Sequence, residues 1–227
     1  MSSNCTKIFQ FMKLIGQLKQ VERTGWVRNK VKDPESVAEH MYRMAMMAFA
    51  IPSNSGLDRD KCIKIALVHD MAESMVGDLT PWCGVSKEEK NRREDEATSH
   101  IAGLLAEDAA MEVYQLWLEY ENQSSPEAKF VKDLDKFEML FQAYEYENQY
   151  SRPKELQEFF DHTRDKYTFS TELVEGWTKE LGNLRDASHP ITCSLDDKTS
   201  LEGESESKNV SENPLVLKKR KRETENK

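Results

Sequence analysis

Polar and apolar residues recur along most of the chain with the period of an amphipathic α-helix, and no stretch shows the sustained alternation of a half-exposed β-strand. This pattern predicts an all-α fold. The predicted helices are roughly Thr6–Val21, Pro34–Ile51, Arg59–Val76, Ser86–Leu105, Glu107–Asn122, Pro126–Gln149, Pro153–Thr163 and Thr171–Leu184. Start signals support several of them: Asp33 precedes Pro34, and Ser86 can form a capping box with Glu89.

The composition changes at about Asp186. The last 42 residues contain no aromatic residue and are rich in Ser, Glu, Lys and Asn, so they bury too little surface to offset the entropy of ordering. We therefore expect one folded domain over residues 1–185 and a disordered tail over 186–227. The tail contains a basic run, Lys218–Arg222, which resembles a nuclear import signal, although a solvated charge run is the alternative.

The overall charge and the cysteines limit the class of protein. A net charge of −9 disfavours a nucleic acid polymer as partner. The four cysteines form no C-x-x-C pair, and free thiols suit a reducing compartment. No uncharged stretch reaches the ~18 residues of a membrane span, and no signal peptide is recognisable. We expect an intracellular protein, cytoplasmic or nuclear or both, with no membrane partner.

Two adjacent residues, His69 and Asp70, lie in the middle of the third predicted helix, which is apolar almost all the way round. A buried imidazole beside a buried carboxylate costs several kcal/mol unless each has a partner, and a metal ion satisfies both at once. On a helical wheel, Glu73 shares their arc one turn later. Asp78 follows the end of this helix at Gly77 and can approach the same place.

Two further residues can complete such a site. His40 shares its arc with Val37 and Met44, and Asp135 shares its arc with Val131, so both are expected to face the core. Two nitrogens and two oxygens suit Mn²⁺, Co²⁺, Fe²⁺, Mg²⁺ or Zn²⁺ without choosing between them. Taken singly, each residue has an ordinary explanation, either as a hydrogen-bonded core histidine or as one half of an ion pair.

The order of these residues resembles that of the HD-domain metal-dependent phosphohydrolases: a His, then His-Asp some thirty residues later, then a distant Asp. The longer strings RTGWVRNKV, PESVAEHMYRMA, LVHDMAESMVGDL and AKFVKDLDKFEM are similar to the 5'-deoxynucleotidase branch of that family. The resemblance extends from about Phe9 to Leu181. It implies a single HD-domain helical bundle, with residues 1–185 as the phosphohydrolase domain.

The resemblance also implies roles for individual residues. The metal ligands would be His40, His69, Asp70 and Asp135, and the catalytic acids would be Glu73 and Asp78. The substrate would be bound by Arg23, Trp26 and Asp78. A second divalent ion would be held by Glu73, Asp78 and the Leu79 carbonyl. Arg23 would bind the phosphate, and Trp26 would pack on the sugar.

The implied activity is hydrolysis of deoxynucleoside 5'-monophosphates to deoxynucleosides and phosphate, with Mn²⁺, Co²⁺ or Mg²⁺ as cofactor. Glu73 would orient the attacking water. Two alternatives remain: an HD-domain hydrolase of another small phosphate ester, and a non-catalytic helical interaction module with a structural metal. The aromatic-rich and Met-rich segments 107–122 and 137–150 predict a homodimer face, as does the resemblance, with plain core packing as the alternative.

Overall fold

A computed structural model describes residues 2–187, and within them the chain forms ten α-helices and no β-strand. The helices are α1 (Ser2–Gln17), α2 (Thr24–Arg28), α3 (Val37–Met47), α4 (Arg59–Val68), α5 (Glu73–Val76), α6 (Lys87–Ala102), α7 (Glu107–Asn122), α8 (Pro126–Gln149), α9 (Gln157–Lys166) and α10 (Glu172–Asp186). Short 3-10 turns occupy Ala48–Ala50 and Pro81–Cys83. The predicted all-α fold is confirmed. No described helix has both the length and the apolar character needed to cross a bilayer.

Nearly all of the predicted tail, including the basic run Lys218–Arg222, lies outside the described residues. Its disorder and its use in nuclear import therefore stay predictions.

Three predicted helix starts are wrong. Helix α1 begins at Ser2 rather than at Thr6. Helix α3 begins after Ser36 rather than at Pro34, because the Ser36 side chain accepts the Glu39 N–H while the Glu39 carboxylate accepts the Ser36 N–H. This capping box satisfies two backbone donors at the start of α3 that have no partner within the helix. The helix predicted from Pro153 begins only at Gln157, because Lys154 has a positive φ of 64°, which is incompatible with an α-helix.

The predicted continuous helix Arg59–Val76 is also wrong, because it is interrupted between α4 and α5. Across the gap the backbone makes i to i−3 hydrogen bonds, from Met71 N to Val68 O at 3.1 Å and from Glu73 N to Asp70 O at 3.0 Å. These tight turns change the direction of successive side chains. As a result His69 lies at the end of α4 and Glu73 at the start of α5.

Helix α8 is the centre of the bundle and packs against α3, α4, α7, α9 and α10. Its first half joins α3 and α4 in one apolar core, which includes Met44, Ile65, Phe130 and Leu134. Its second half packs in a second cluster made of Trp26, Leu140, Ala143, Tyr144, Tyr146, Leu156, Phe159 and Leu181. This arrangement brings the inward faces of α3, α4 and α8 together, and all three carry predicted site residues.

Candidate metal centre

His40 of α3, His69 at the end of α4 and Asp135 of α8 converge in the core. One ligand atom from each residue lies within 4.8 Å of the others, and all three residues are buried. His40 Nε2 is 3.5 Å from Asp135 Oδ1. The bundle therefore collects side chains from three separate helices, which is the first requirement of a metal site.

Asp70 lies beside these residues in the turn after α4. Its Oδ2 is 3.1 Å from His69 Nε2 and 3.8 Å from His40 Nε2. Burial opposes ionisation of Asp70, but His69, His40 and Arg23 outweigh it and lower the pKa of Asp70. Its side chain is 18% exposed, so Asp70 marks a side of the site that solvent can reach. The structure thus brings together all four predicted ligands.

The two imidazoles each present one unsatisfied nitrogen. His69 Nδ1 lies 2.9 Å from the Ala66 carbonyl, which can only accept, so Nδ1 carries a proton and Nε2 is the nitrogen that can bind an ion. Among the described residues, neither the His40 Nε2 nor the His69 Nε2 has a well-oriented hydrogen-bond partner, although both are buried. A buried polar atom left without a partner costs about 1–3 kcal/mol. A divalent cation would satisfy both nitrogens together, so this donor set fits one.

The protonation of His40 reflects the acids around it. Burial and Arg23 lower the pKa of His40, but Glu138 and Asp135 outweigh them and raise it to about 9. A cation that takes Nε2 therefore displaces a proton, as is usual for metal binding by histidine.

Glu73 lies three residues after the predicted ligand Asp70, but not on the shared helical face that the sequence predicted. Its shared arc with His69 assumed a continuous helix, whereas Glu73 begins α5 after the interruption. The side chain is 3% exposed, and its Oε2 has no hydrogen-bond partner in the described part of the chain. Burial, followed by the charges of Asp70 and Asp78, raises the pKa of Glu73 well above its usual range. Glu73 is thus a buried carboxyl group free to bind or move a proton.

Arg23 points its guanidinium into the same region. Nη1 lies 3.5 Å from Asp70 Oδ2, and Nη2 lies 4.0 Å from Asp135 Oδ1. Burial lowers the pKa of Arg23, but Asp78, Asp135 and Asp70 outweigh it, so the group stays charged. A permanent cation between two of the predicted ligands is well placed to meet an anionic substrate.

Asp78 joins the loop after α5 to the start of α2. Its Oδ2 accepts the Thr24 N–H at 2.7 Å, and its carbonyl oxygen accepts the Thr24 hydroxyl at 2.7 Å. These two bonds hold the segment that carries Arg23. The neighbouring Leu79 is partly buried. The second ion site formed by Glu73, Asp78 and Leu79 stays a prediction, since one Asp78 oxygen is already engaged by Thr24.

Trp26 lies in the second core cluster. Its ring centroid is 4.6 Å from that of Phe159 and 5.5 Å from that of Tyr146, and its Nε1 donates to Glu35 Oε1 at 3.0 Å. The residue is only 1% exposed. Its packing on a sugar ring is therefore not visible in this structure and stays a prediction.

Several residues around the site were not predicted from sequence. Asp135 Oδ2 accepts from Tyr120 Oη at 3.2 Å, from Lys132 Nζ at 3.1 Å and from Lys136 Nζ at 3.3 Å. Burial raises the pKa of Asp135, but Lys136 and Lys132 outweigh it and hold the pKa well below its usual range. The string KDLDKFE contains both lysines. The spacing of three residues between Lys132 and Asp135 was an available signal, whereas adjacent helical residues such as Asp135 and Lys136 are not expected to face each other.

Comparisons with known proteins show which proteins this chain is similar to. An HD domain family model matches residues 15–175, a range that contains every predicted site residue. The 5'-deoxynucleotidase HDDC2 of Danio rerio is 56% identical over 178 residues, which are 78% of this chain and 88% of the relative. The 5'-deoxynucleotidase HDDC2 of Homo sapiens is 55% identical over 160 residues, which are 70% and 78% of the two chains. The solved structure of the HD domain-containing protein YGK1 is similar with a TM-score of 0.60 and 34% identity, covering 80% of this chain and 86% of that one.

Proposed function

The chain belongs to the HD domain family, and on this premise we propose that it is a metal-dependent 5'-deoxynucleotidase, which hydrolyses deoxynucleoside 5'-monophosphates to deoxynucleosides and phosphate. The proposal rests on one observation above all. Two buried imidazole nitrogens, which have no well-oriented hydrogen-bond partner among the described residues, face Asp135 and Asp70 next to the charged Arg23. A buried cluster of this kind is unfavourable as packing alone. It becomes favourable when it holds a cation and an anion.

His40, His69, Asp70 and Asp135 would hold the divalent ion, and Mn²⁺, Co²⁺ or Mg²⁺ are the ions we propose for them. When bound, such an ion lowers the pKa of a water molecule and withdraws charge from a phosphoryl oxygen. Asp70 is the most exposed of these side chains, so the phosphate would enter from its side.

Glu73 would orient the attacking water. A bound cation would offset the charges of Asp70 and Asp78 and leave the Glu73 carboxyl group ionised, so that it can accept the proton of this water. Because its Oε2 has no partner among the described residues, the group can take a proton without breaking an existing hydrogen bond. General acid–base catalysis of this type typically contributes about 10²–10⁴ in rate.

Arg23 would bind the phosphate through the planar fork of its guanidinium, which contacts two oxygens at once. Asp78 and Trp26 would recognise the deoxyribose and leave no room for a 2'-hydroxyl. Asp78 is suited to this because its link to Thr24 fixes it next to Arg23, and hence next to the phosphate.

The test is an assay of phosphate release by the metal-stripped chain after addition of Mn²⁺, Co²⁺ or Mg²⁺. Deoxynucleoside monophosphates, the matching ribonucleotides and a pyrophosphorylated nucleotide serve as substrates. We expect at least one ion to restore hydrolysis, with the deoxynucleotides preferred. Glu73→Gln should lower kcat by about 10²–10⁴ while the ion still binds, and Arg23→Lys should mainly raise KM.

Three outcomes would contradict parts of this proposal. Release from the pyrophosphorylated substrate alone would point to another phosphate ester. An ion that raises the melting temperature without any hydrolysis would point to a structural metal in an interaction module. Full activity of Glu73→Gln would remove the role given to Glu73.

A further inference from the structure

Glu138 of α8 lies behind His40, on the ring nitrogen that does not face the candidate metal centre. Its Oε2 is 2.5 Å from His40 Nδ1, and both residues are fully buried at 0% exposure. His40 Nε2, on the other side of the ring, lies 3.5 Å from Asp135 Oδ1 and has no well-oriented partner among the described residues. The imidazole is thus held at one nitrogen and left open at the other.

The other oxygen of Glu138 is held by Arg43 of α3. Arg43 Nε donates to Glu138 Oε1 at 2.8 Å and Nη2 donates to the same oxygen at 2.5 Å. The guanidinium also contacts Glu145 and Gln142 of α8. Two donors on Oε1 and one on Oε2 keep Glu138 ionised and fixed in one orientation, since a carboxylate can only accept at each of these contacts.

We infer that Glu138 is a positioning residue for the metal ligand His40: it holds the proton on Nδ1 and directs the Nε2 lone pair toward the ion. This inference rests on the metal centre proposed above. Carboxylate groups that accept from a metal-bound histidine fix its tautomer and increase its basicity. Here the Glu138 carboxylate of α8 contacts one nitrogen of the His40 ring of α3, and the other nitrogen of that ring faces the site. All of these groups are buried.

The alternative is a plain core ion pair in which Glu138 only compensates the charge of Arg43. The two explanations differ in what the removal of Glu138 changes. Arg43 is partly exposed and keeps Glu145, and Glu35 lies 3.7 Å from its Nη2, so it is not stranded when Glu138 is replaced. A positioning residue alters metal affinity in the folded protein, whereas a purely structural one alters only stability.

The experiment is calorimetric titration of Mn²⁺ into the metal-stripped wild type, Glu138→Gln and Glu138→Met. We expect the Kd for Mn²⁺ to rise about 10-fold in Glu138→Gln, which keeps an acceptor of the same shape but loses the charge, and about 100-fold in Glu138→Met. In the Zn²⁺-loaded protein, the ¹⁵N-coupled Nδ1–H signal of His40 should be visible in the wild type and lost by exchange in Glu138→Met. Glu145→Gln is the matched control, because it contacts the same Arg43 without touching His40, and its Kd should stay within about 2-fold of wild type.

The inference is overturned if both folded variants bind Mn²⁺ as tightly as the wild type and keep the His40 signal. Should Glu138→Met fail to fold, the milder Glu138→Gln decides alone. Hydrolysis of deoxynucleotides by the wild type is measured in parallel: an active wild type with unaffected variants refutes only the role of Glu138. A wild type that binds no Mn²⁺ contradicts both the role of Glu138 and the metal centre.

Discussion

Glu73 shows how a single residue can oppose the stability of the fold that contains it. Its carboxyl group is buried, and this burial, followed by the like charges of Asp70 and Asp78, raises its pKa. The folded chain then retains a proton that the unfolded chain releases. The free energy of unfolding therefore falls as the pH rises from about 4.5, the usual pKa of a glutamate, toward the raised pKa of the folded state. Such a cost is typical of groups kept for chemistry.

We therefore predict that Glu73→Gln stabilises the metal-free protein at higher pH and not at low pH. The amide carries no charge at any pH, so its melting temperature should match that of the wild type near pH 4 and exceed it increasingly toward pH 8. Thermal unfolding in the presence of a chelator measures this difference. Glu180→Gln, an exposed glutamate, is the control and should track the wild type throughout. A pH-independent gap between Glu73→Gln and wild type would contradict the explanation.

The inward direction of single side chains could be predicted from sequence, but their partners could not. The helical period placed His40 and Asp135 on apolar faces, and both are buried. The bond from His40 to Glu138 depends on which face of α8 meets α3, and periodicity contains no information on that choice. Trp26 was singled out by resemblance alone, and its burial between Tyr146 and Phe159 required the positions of two later helices.

At the scale of elements, the interruption between α4 and α5 determines where the two halves of the site lie. The residues between the two helices are His69–Asp70–Met71–Ala72. They include neither Gly nor Pro, so the local sequence did not predict that the helix would be interrupted there. It arises from i to i−3 backbone bonding that the surrounding packing stabilises. The end of α5 was predictable, because Gly77 has φ 76° and ψ 170°, a conformation that is essentially restricted to glycine.

We predict that Gly77→Ala lowers the free energy of unfolding by about 1–3 kcal/mol. No described atom within 4 Å would meet the new Cβ, so the loss comes from the backbone alone. Gly176→Ala is the matched control: it is also free of described neighbours within 4 Å, but it lies inside α10 and should raise stability by about 0.5–1 kcal/mol. Urea unfolding measures both changes. Equal stability of Gly77→Ala and wild type would show that the loop can relax without strain.

At the scale of the whole molecule, some apolar residues are buried in the core and others remain exposed on the surface. The aromatic-rich segment 137–150 packs inward through Leu140, Ala143 and Tyr144, so core packing accounts for much of it. On α7, Met111 and Leu118 stay 56% and 40% exposed, two turns apart on the same side of the helix. The part of the predicted homodimer face that remains open is therefore the one on α7.

We propose that the chain forms a homodimer through α7. Sedimentation velocity should show a dimer for the wild type and a monomer for Met111→Glu combined with Leu118→Glu, because buried charges are costly at an interface. Met12→Glu, at another exposed apolar residue on α1, should stay dimeric. A monomeric wild type would dismiss the proposal.

The four predicted ligand side chains of the candidate metal centre come from α3, the end of α4 with the turn after it, and α8, so they are brought together only when the bundle is complete. A nascent chain that has not yet released α8 from the ribosome lacks Asp135 and has no full set of ligands. The ion would then bind with its full set of ligands only when the tertiary structure is completed. An ion present at about a hundred times its Kd adds about 2.7 kcal/mol to the native state. The cellular supply of that ion would consequently govern how long the polypeptide survives proteolysis, independently of how fast it turns over substrate.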